Sequence, residues 1–276
     1  MPEGHIIHRL ADTVSERFGG HAVASSSPQG RFREEAARLD GRKVGRVEAH
    51  GKHLLVGFVG LPERVHVHMG LAGRFTFGDG RAPEPSGVIR WRMTDRKSYA
   101  DLRGPAACEL FTPEQVAALV ERLGPDPLRA DAEPERGWAR LHRSKKSVAS
   151  LLMDQRIVAG VGNIFRAEVL FRHGIDPMLE GRALARPEWD ALWSDLGELM
   201  RRALAARRID TVLPEHLPEA MGRPPRVDRH GGEVYVYRRD GQRCYVCGSV
   251  IATELVEGRN LFFCPKCQRA RRRRVS

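Results

Sequence analysis

Four cysteines near the C-terminus have the spacing of a metal site. They form two Cys-x2-Cys pairs separated by sixteen residues: Cys244, Cys247, Cys264 and Cys267. Two thiolate pairs at this separation suit a tetrahedral zinc ion held between two knuckles. Four sulfur ligands leave no open coordination position, so we expect one structural Zn²⁺; a redox pair is the alternative.

The N-terminus is a second candidate for chemistry. The initiator methionine is normally removed before a residue as small as Pro2, which leaves a secondary amine. An α-amino group titrates near about 7.7–8.0, well below lysine, so near physiological pH it can be a neutral nucleophile that forms an iminium with a sugar carbon. Glu3 is the adjacent proton donor and acceptor. The plainer interpretation is that Pro2 only begins a helix.

Three further residues have surroundings suited to binding phosphate. Lys52 lies at the edge of a predicted strand, within Gly51-Lys52-His53. Asn163 begins a predicted helix after a Gly-rich turn, where free backbone N–H groups face an anion. Arg259 lies at a predicted hairpin tip between the cysteine pairs, where its guanidinium fork can meet a phosphate. Each signal is weak in isolation, because exposed Lys and Arg residues are common.

The composition of the chain indicates an anionic partner. Its 46 Lys and Arg against 35 Asp and Glu give a net charge of +11, and nucleic acid is the first candidate. A GC-rich genome is the alternative source of this charge, because only six of these basic residues are Lys. The longest mostly apolar run, His53–Leu61, is far shorter than a membrane span, and the first residues do not resemble a signal peptide. We therefore expect a cytoplasmic, nucleoid-associated protein, where paired cysteines bind metal.

A leading helix and a set of strands are predicted to carry the first of these residues. Apolar residues at helical spacing predict a helix that begins at Pro2 and stops at Gly19-Gly20. From about residue 22 to residue 110, short alternating segments such as Arg64–Phe77 and Val88–Thr94 predict half-buried strands of a sandwich or barrel. Cys108 falls in this region and is predicted to be a core residue.

The middle of the chain is predicted to be helical. Capping signals and apolar spacing indicate helices over Thr112–Leu123, Ser147–Gln155, Asn163–His173 and Pro187–Arg207. The segment Asp210–Gly232 is rich in Pro, Gly and charge and is predicted to be a loop. Alternation over Glu233–Arg238 predicts a strand that leads into the cysteines. A basic tail, Arg271–Arg274, follows them.

In their order along the chain, these residues resemble the Fpg/Nei family of DNA glycosylases. The motifs are Pro2-Glu3-Gly4, Gly51-Lys52-His53, Gly160-Val161-Gly162-Asn163-Ile164 and Gly258-Arg259-Asn260. The resemblance implies an α+β multidomain fold: a β-sandwich with a leading helix (1–124), a helix–two-turn–helix domain (125–228) and a zinc finger with a basic tail (229–276). It also implies a monomer whose partner is double-stranded DNA containing damaged bases or abasic sites.

The resemblance assigns a role to each candidate residue. Pro2 would attack the sugar C1′ of a damaged nucleotide, and Glu3 would shuttle protons to the sugar and the departing base. Lys52 would contact phosphate and assist strand cleavage. Asn163 and Arg259 would hold phosphates around the flipped-out nucleotide. Such flipping is required because a stacked base cannot be reached by an enzyme.

Within this family, the sequence looks like the actinobacterial Nei (endonuclease VIII) branch, beginning with Pro2–Arg9. Leu71 and Arg103 are the candidate residues that fill the space vacated by the flipped nucleotide. Members that excise oxidised guanine typically have a Phe shortly after this Arg, whereas this chain has Gly104-Pro105. That difference favours oxidised pyrimidines as substrates.

We therefore predict a bifunctional DNA glycosylase/AP lyase. One alternative is the same chemistry on oxidised purines. Another is a zinc-dependent protein that binds damaged DNA without catalysis; it would not need the set Pro2, Glu3 and Lys52. A third is a basic zinc-ribbon module that binds RNA. This alternative does not explain the strands predicted in the first 110 residues.

Overall fold

The computed structural model of the chain describes residues 2–228 and 232–269. Contacts divide the chain into two units, residues 1–123 and 124–276. The three domain ranges expected from the sequence stay a prediction. The basic tail Arg271–Arg274 lies outside the described residues. Within the described ranges, no helix combines the length and apolar character needed to cross a membrane.

The described part of the first unit contains two antiparallel sheets of four strands each. The strands are β1 (Ala24–Ser26), β2 (Val44–His50), β3 (His53–Phe58), β4 (Leu61–His68), β5 (Arg74–Asp79), β6 (Ile89–Thr94), β7 (Ser98–Arg103) and β8 (Ala107–Phe111). One sheet has the order β2-β3-β4-β8 and the other β1-β6-β7-β5. Val65 and Val67 of the first sheet share one buried core with Trp91 and Leu102 of the second. This common core confirms the predicted sandwich.

Helices cover and close the first unit. Helix α1 (Gly4–Phe18) packs against β2 and β3, and α2 (Arg33–Leu39) packs against β1. The prediction that α1 starts at Pro2 is wrong: Glu3 is an extended N-cap, so Pro2 precedes the helix. Helix α3 (Pro113–Arg122) begins with the predicted cap, a reciprocal capping box between Thr112 and Gln115. Cys108 is 4 % exposed, as expected of a core residue.

The second unit contains a helical bundle and a β-hairpin that share one core. Its helices are α4 (Pro134–Leu141), α5 (Val148–Met153), α6 (Asn163–Arg172), α7 (Arg186–Ala206) and α8 (Pro218–Met221), and its hairpin is formed by β9 (Ala252–Val256) and β10 (Arg259–Phe263). Three of the predicted helices lie close to α5, α6 and α7, whereas α4 and α8 were not predicted. Phe165 of α6, Trp189 of α7 and Leu261 of β10 are almost completely buried together. The hairpin is therefore anchored on the helices.

The predicted strand over Glu233–Arg238 is wrong. This segment forms bends and turns around the buried carboxylate of Glu168 in α6. That carboxylate accepts hydrogen bonds from three successive backbone N–H groups, those of Tyr235 (2.7 Å), Val236 (2.8 Å) and Tyr237 (2.8 Å). Three successive donors that converge on one side chain cannot alternate between two strand partners, so the alternation of residue types did not produce a strand.

Candidate functional site

The N-terminal segment combines an accessible proline with a buried carboxyl group. Pro2 is partly exposed, whereas Glu3 is only 4 % exposed. Helix α1 ends where β2 begins, because the Gly20 N–H just after the helix donates to the carbonyl of Val44, the first residue of the strand (2.8 Å). The helix and the strand therefore run in opposite directions. The helix and the strand are of similar length, about 22 Å each. The start of α1 therefore lies toward the turn between β2 and β3.

Lys52 lies in that turn and is buried. It belongs to the two-residue connection after His50, which pairs with His53, and Gly51 supplies the positive φ of 58° that the turn requires. The Lys52 residue is 5 % exposed, unlike an ordinary surface lysine. Burial of an ammonium is unfavourable unless the surroundings compensate for it, so this lysine is held in place rather than merely solvated.

Histidines on β3 and β4 form a cluster next to Lys52. The His53 and His66 rings approach to 2.9 Å between Nδ1 and Nε2, and His68 is the strand partner of His53. Burial lowers the pKa of His53 to about 3 and that of His66 to about 4, with the neighbouring histidines adding to the effect. The pKa of His68 is lowered by burial and by the Lys52 charge. These pKa values keep the imidazoles of His53 and His66 neutral at physiological pH, so the two rings add no positive charge beside Lys52.

The two candidate wedge residues have different surroundings. Leu71 is 83 % exposed in the turn after β4, and an apolar side chain so exposed is available to insert between bases. Arg103 is the last residue of β7 rather than part of a loop. Its guanidinium contacts the Asp101 carboxylate (3.1 Å) and the Thr76 hydroxyl (3.1 Å). Arg103 is therefore oriented by its own sheet.

In the second unit, the start of α6 is joined to the zinc-finger hairpin. Asn163, the first residue of α6, donates through Nδ2 to the Asn260 carbonyl (2.9 Å). Arg166 donates to the Asn163 side-chain oxygen and to the Asn260 carbonyl. Arg166 is 1 % exposed and was missed by the sequence analysis. Its position one turn after Asn163, on the same helix face, was the available signal.

Arg259, adjacent to Asn260, opens onto a basic cavity. The cavity has a volume of about 320 Å³, and its cationic lining residues are Lys146, Arg156, Arg166 and Arg259. Across residues 2–228 and 232–269, the Arg259 guanidinium has no hydrogen bond or ion pair. A cavity with this lining and one unengaged guanidinium suits a phosphate group.

The four predicted metal ligands come together as a structural zinc site. The Sγ atoms of Cys244, Cys247, Cys264 and Cys267 all lie within 4.8 Å of one another. Two of the separations are 3.4 Å and 3.9 Å. A tetrahedron with Zn–S bonds of about 2.3 Å has sulfur atoms about 3.8 Å apart, so the geometry fits zinc. Gln268 joins this site to the segment that follows α6 through a hydrogen bond to the Ile175 carbonyl (3.1 Å).

Three family models match successive parts of the chain. The Formamidopyrimidine-DNA glycosylase N-terminal domain matches residues 1–108, the Formamidopyrimidine-DNA glycosylase H2TH domain matches residues 123–213, and the zinc finger found in FPG and IleRS matches residues 241–270. The matches follow the sheet unit, the helices and the cysteine hairpin in that order.

Full-length relatives and solved structures agree with these matches. The chain is 50% identical to Endonuclease 8 1 of Mycobacterium tuberculosis, with 97% of this chain and 100% of the relative covered. It is 30% identical to Endonuclease 8 of Escherichia coli at the same coverage. A Lactococcus lactis FPG mutant in complex with Fapy-dG-containing DNA has a similar fold, with a TM-score of 0.79, 23% identity and coverage of 98% and 100%.

Proposed function

The chain belongs to the Fpg/Nei family of DNA glycosylases, and we propose that it excises oxidised bases, oxidised pyrimidines foremost, and then cleaves the abasic site through a Schiff base on Pro2. The zinc ion held by the four cysteine sulfurs has a structural role and takes no part in the chemistry. DNA is the partner, and the proposal includes a monomeric enzyme in the cytoplasm. The observation that carries it is the accessible Pro2 next to the buried Glu3 carboxyl.

In the proposed first step, the Pro2 nitrogen forms a bond to C1′ as the bond from C1′ to the base breaks. The base departs with the bonding electron pair and takes up a proton. The sugar ring then opens with proton transfer to its oxygen, which leaves an iminium between Pro2 and C1′. Glu3 is the residue placed to move these protons, because it is the immediate neighbour of the nucleophile and is shielded from bulk water.

The iminium makes strand cleavage possible. It acidifies the proton at C2′; loss of that proton expels the 3′-phosphate by β-elimination, and water then releases the sugar remnant from Pro2. We propose that Lys52 contacts a phosphate at this site and stabilises the charge that develops on it. The neutral imidazoles of His53 and His66 beside Lys52 do not compete with it for an anion.

The remaining candidates bind and deform the duplex. Asn163 and Arg259 are proposed to hold phosphates around the extruded nucleotide, while Leu71 and Arg103 fill the space it leaves. Bending the DNA costs about 1–6 kcal/mol by elastic estimates, and phosphate contacts offset this energy. The Arg259 guanidinium supports this role because it lines a basic cavity and makes no intramolecular ion pair in the part of the chain that the structure describes.

A panel of single-lesion duplexes tests the proposal. Strand scission should be faster on oxidised pyrimidines than on 8-oxoguanine or formamidopyrimidine lesions, and abasic DNA should also be cut. The matched control is the same chain with a short N-terminal extension, which blocks the Pro2 amine and should abolish scission while DNA binding persists. Equal scission by the extended chain would overturn the Schiff-base proposal. Preferential cutting of oxidised purines would instead favour the alternative substrate class.

A further inference from the structure

The tip of the zinc-finger hairpin carries an unfavourable backbone conformation. Val256 pairs with Arg259, so Glu257 and Gly258 form a two-residue turn, and both have positive φ angles, 46° and 75°. This turn strongly favours Asn or Gly at its first position, where a glutamate is strained. Strained backbone positions of this kind cluster at functional sites.

The Glu257 carboxylate contacts another cation of the basic cavity. Its Oε1 lies 2.8 Å from Nζ of Lys146, just before α5, and both side chains are more than half exposed. Lys146, Glu257 and Arg259 line the same 320 Å³ cavity. An acidic side chain therefore lies inside a site whose other charges favour phosphate, two residues from the guanidinium proposed to bind it.

The second acidic residue of the cavity is already neutralised. Asp154 forms an ion pair with Arg156 (2.7 Å), which also lines the cavity. Glu257 differs because it holds Lys146 through one hydrogen bond, whereas Asp154 holds the Arg156 guanidinium through three. The Lys146 side chain is 65 % exposed and its stem is flexible, so its ammonium can exchange one anion for another.

We propose that Lys146 is an additional DNA-phosphate ligand and that Glu257 is its built-in competitor, which occupies the ammonium until a phosphate displaces it. The inference rests on the proposed function, since it assigns the cavity beside Arg259 to the DNA backbone. Glu257 lowers the affinity for DNA in general. Because the competition acts at a backbone contact, it lowers the affinity for undamaged and for damaged duplex by the same factor.

Equilibrium binding of the zinc-loaded full chain to a duplex containing a tetrahydrofuran abasic analogue tests the proposal. Glu257→Gln should bind up to about fivefold more tightly, the size that an exposed ion pair reaches. Lys146→Met should bind more weakly, and its slope of log affinity against log salt should be shallower by about 0.9, one phosphate contact. In the Lys146→Met background, Glu257→Gln should no longer improve binding.

Two further variants separate charge from backbone and from net charge. Glu257→Asn removes the charge and suits the positive φ, so it should match Glu257→Gln in affinity. Glu198→Gln removes an equivalent exposed carboxylate, paired with Arg201 on α7, and should leave affinity unchanged. Unchanged binding by Glu257→Gln, or a gain that persists without Lys146, would overturn the inference. Borohydride trapping of the wild-type chain reports separately on the Schiff base, so failure there would affect only the proposed function.

Discussion

At the scale of single residues, the proposed catalysis depends mainly on two buried side chains, those of Glu3 and Lys52. Glu3 and Lys52 are 4 % and 5 % exposed, and charged residues are rarely buried to this extent unless they are paired. The sequence indicated both residues through their motifs and could not show this burial. It depends on α1 packing against β2 and β3, which brings distant parts of the chain together.

Glu3→Gln should separate the two steps of the proposed reaction. Excision of an oxidised base requires a proton for the leaving base, whereas a preformed abasic site has no base to expel. We expect excision to fall by about 10²–10⁴, the usual contribution of a general acid, with a smaller effect on cleavage of abasic DNA. Single-turnover scission of the two substrates measures the difference. An equal loss on both would contradict a role in base departure.

At the scale of secondary-structure elements, residue patterns predicted the helices and sheets that depend on local signals. The capping box at Thr112 and the start of α6 at Asn163 were placed correctly because their determinants lie within a few residues. The segment Glu233–Arg238 was not, because its backbone donors bind Glu168, which lies 67 to 69 residues earlier in the chain. The contact between Lys146 and Glu257 was not predicted for the same reason, since 111 residues separate them.

Glu168→Gln should destabilise the second unit. The carboxylate accepts three backbone N–H bonds and the Thr211 hydroxyl bond, whereas an amide replaces one acceptor oxygen with a donor that faces N–H groups. We expect a loss of about 2–3 kcal/mol in the free energy of unfolding, typical of hydrogen bonds to a buried charge. Denaturant titration measures it, with the exposed Glu198→Gln as control. A loss below about 0.5 kcal/mol in Glu168→Gln would contradict this account.

The histidine cluster should make the first unit sensitive to acid. The pKa values of His53 and His66 are about 3 and about 4 in the fold, below the ordinary 6.5, so the unfolded chain binds more protons as the pH falls below about 6.5. The contribution of these histidines to the free energy of unfolding is therefore complete above that pH. It is lost toward pH 4, by about 1.4 kcal/mol per pH unit for each histidine.

His66→Leu keeps an apolar side chain at this buried position and removes one of these titrations. Urea unfolding at a series of pH values should show a shallower decline of stability between pH 6.5 and 4, by about one proton, than the wild-type chain shows. An unchanged slope would mean that His66 takes up a proton equally well in the fold.

At the scale of the whole molecule, zinc should matter to DNA binding and not to the chemical step itself. The four thiolates hold together a short hairpin that carries Arg259 and Asn260, so the metal contributes directly to the folding of this part. Chelation should weaken binding to abasic-site duplex at least tenfold, and restored zinc should recover it. Retention of full affinity after complete zinc removal, measured by metal analysis, would show that Arg259 does not bind DNA.

The central claim is a covalent bond between Pro2 and the deoxyribose. Its most direct test is borohydride reduction of the chain on abasic-site DNA, followed by nuclease and protease digestion and tandem mass spectrometry of the peptides. The account predicts a sugar remnant on the nitrogen of an N-terminal peptide that begins at Pro2. A remnant on Lys52 or another side chain, or an active protein that retains Met1, would contradict it.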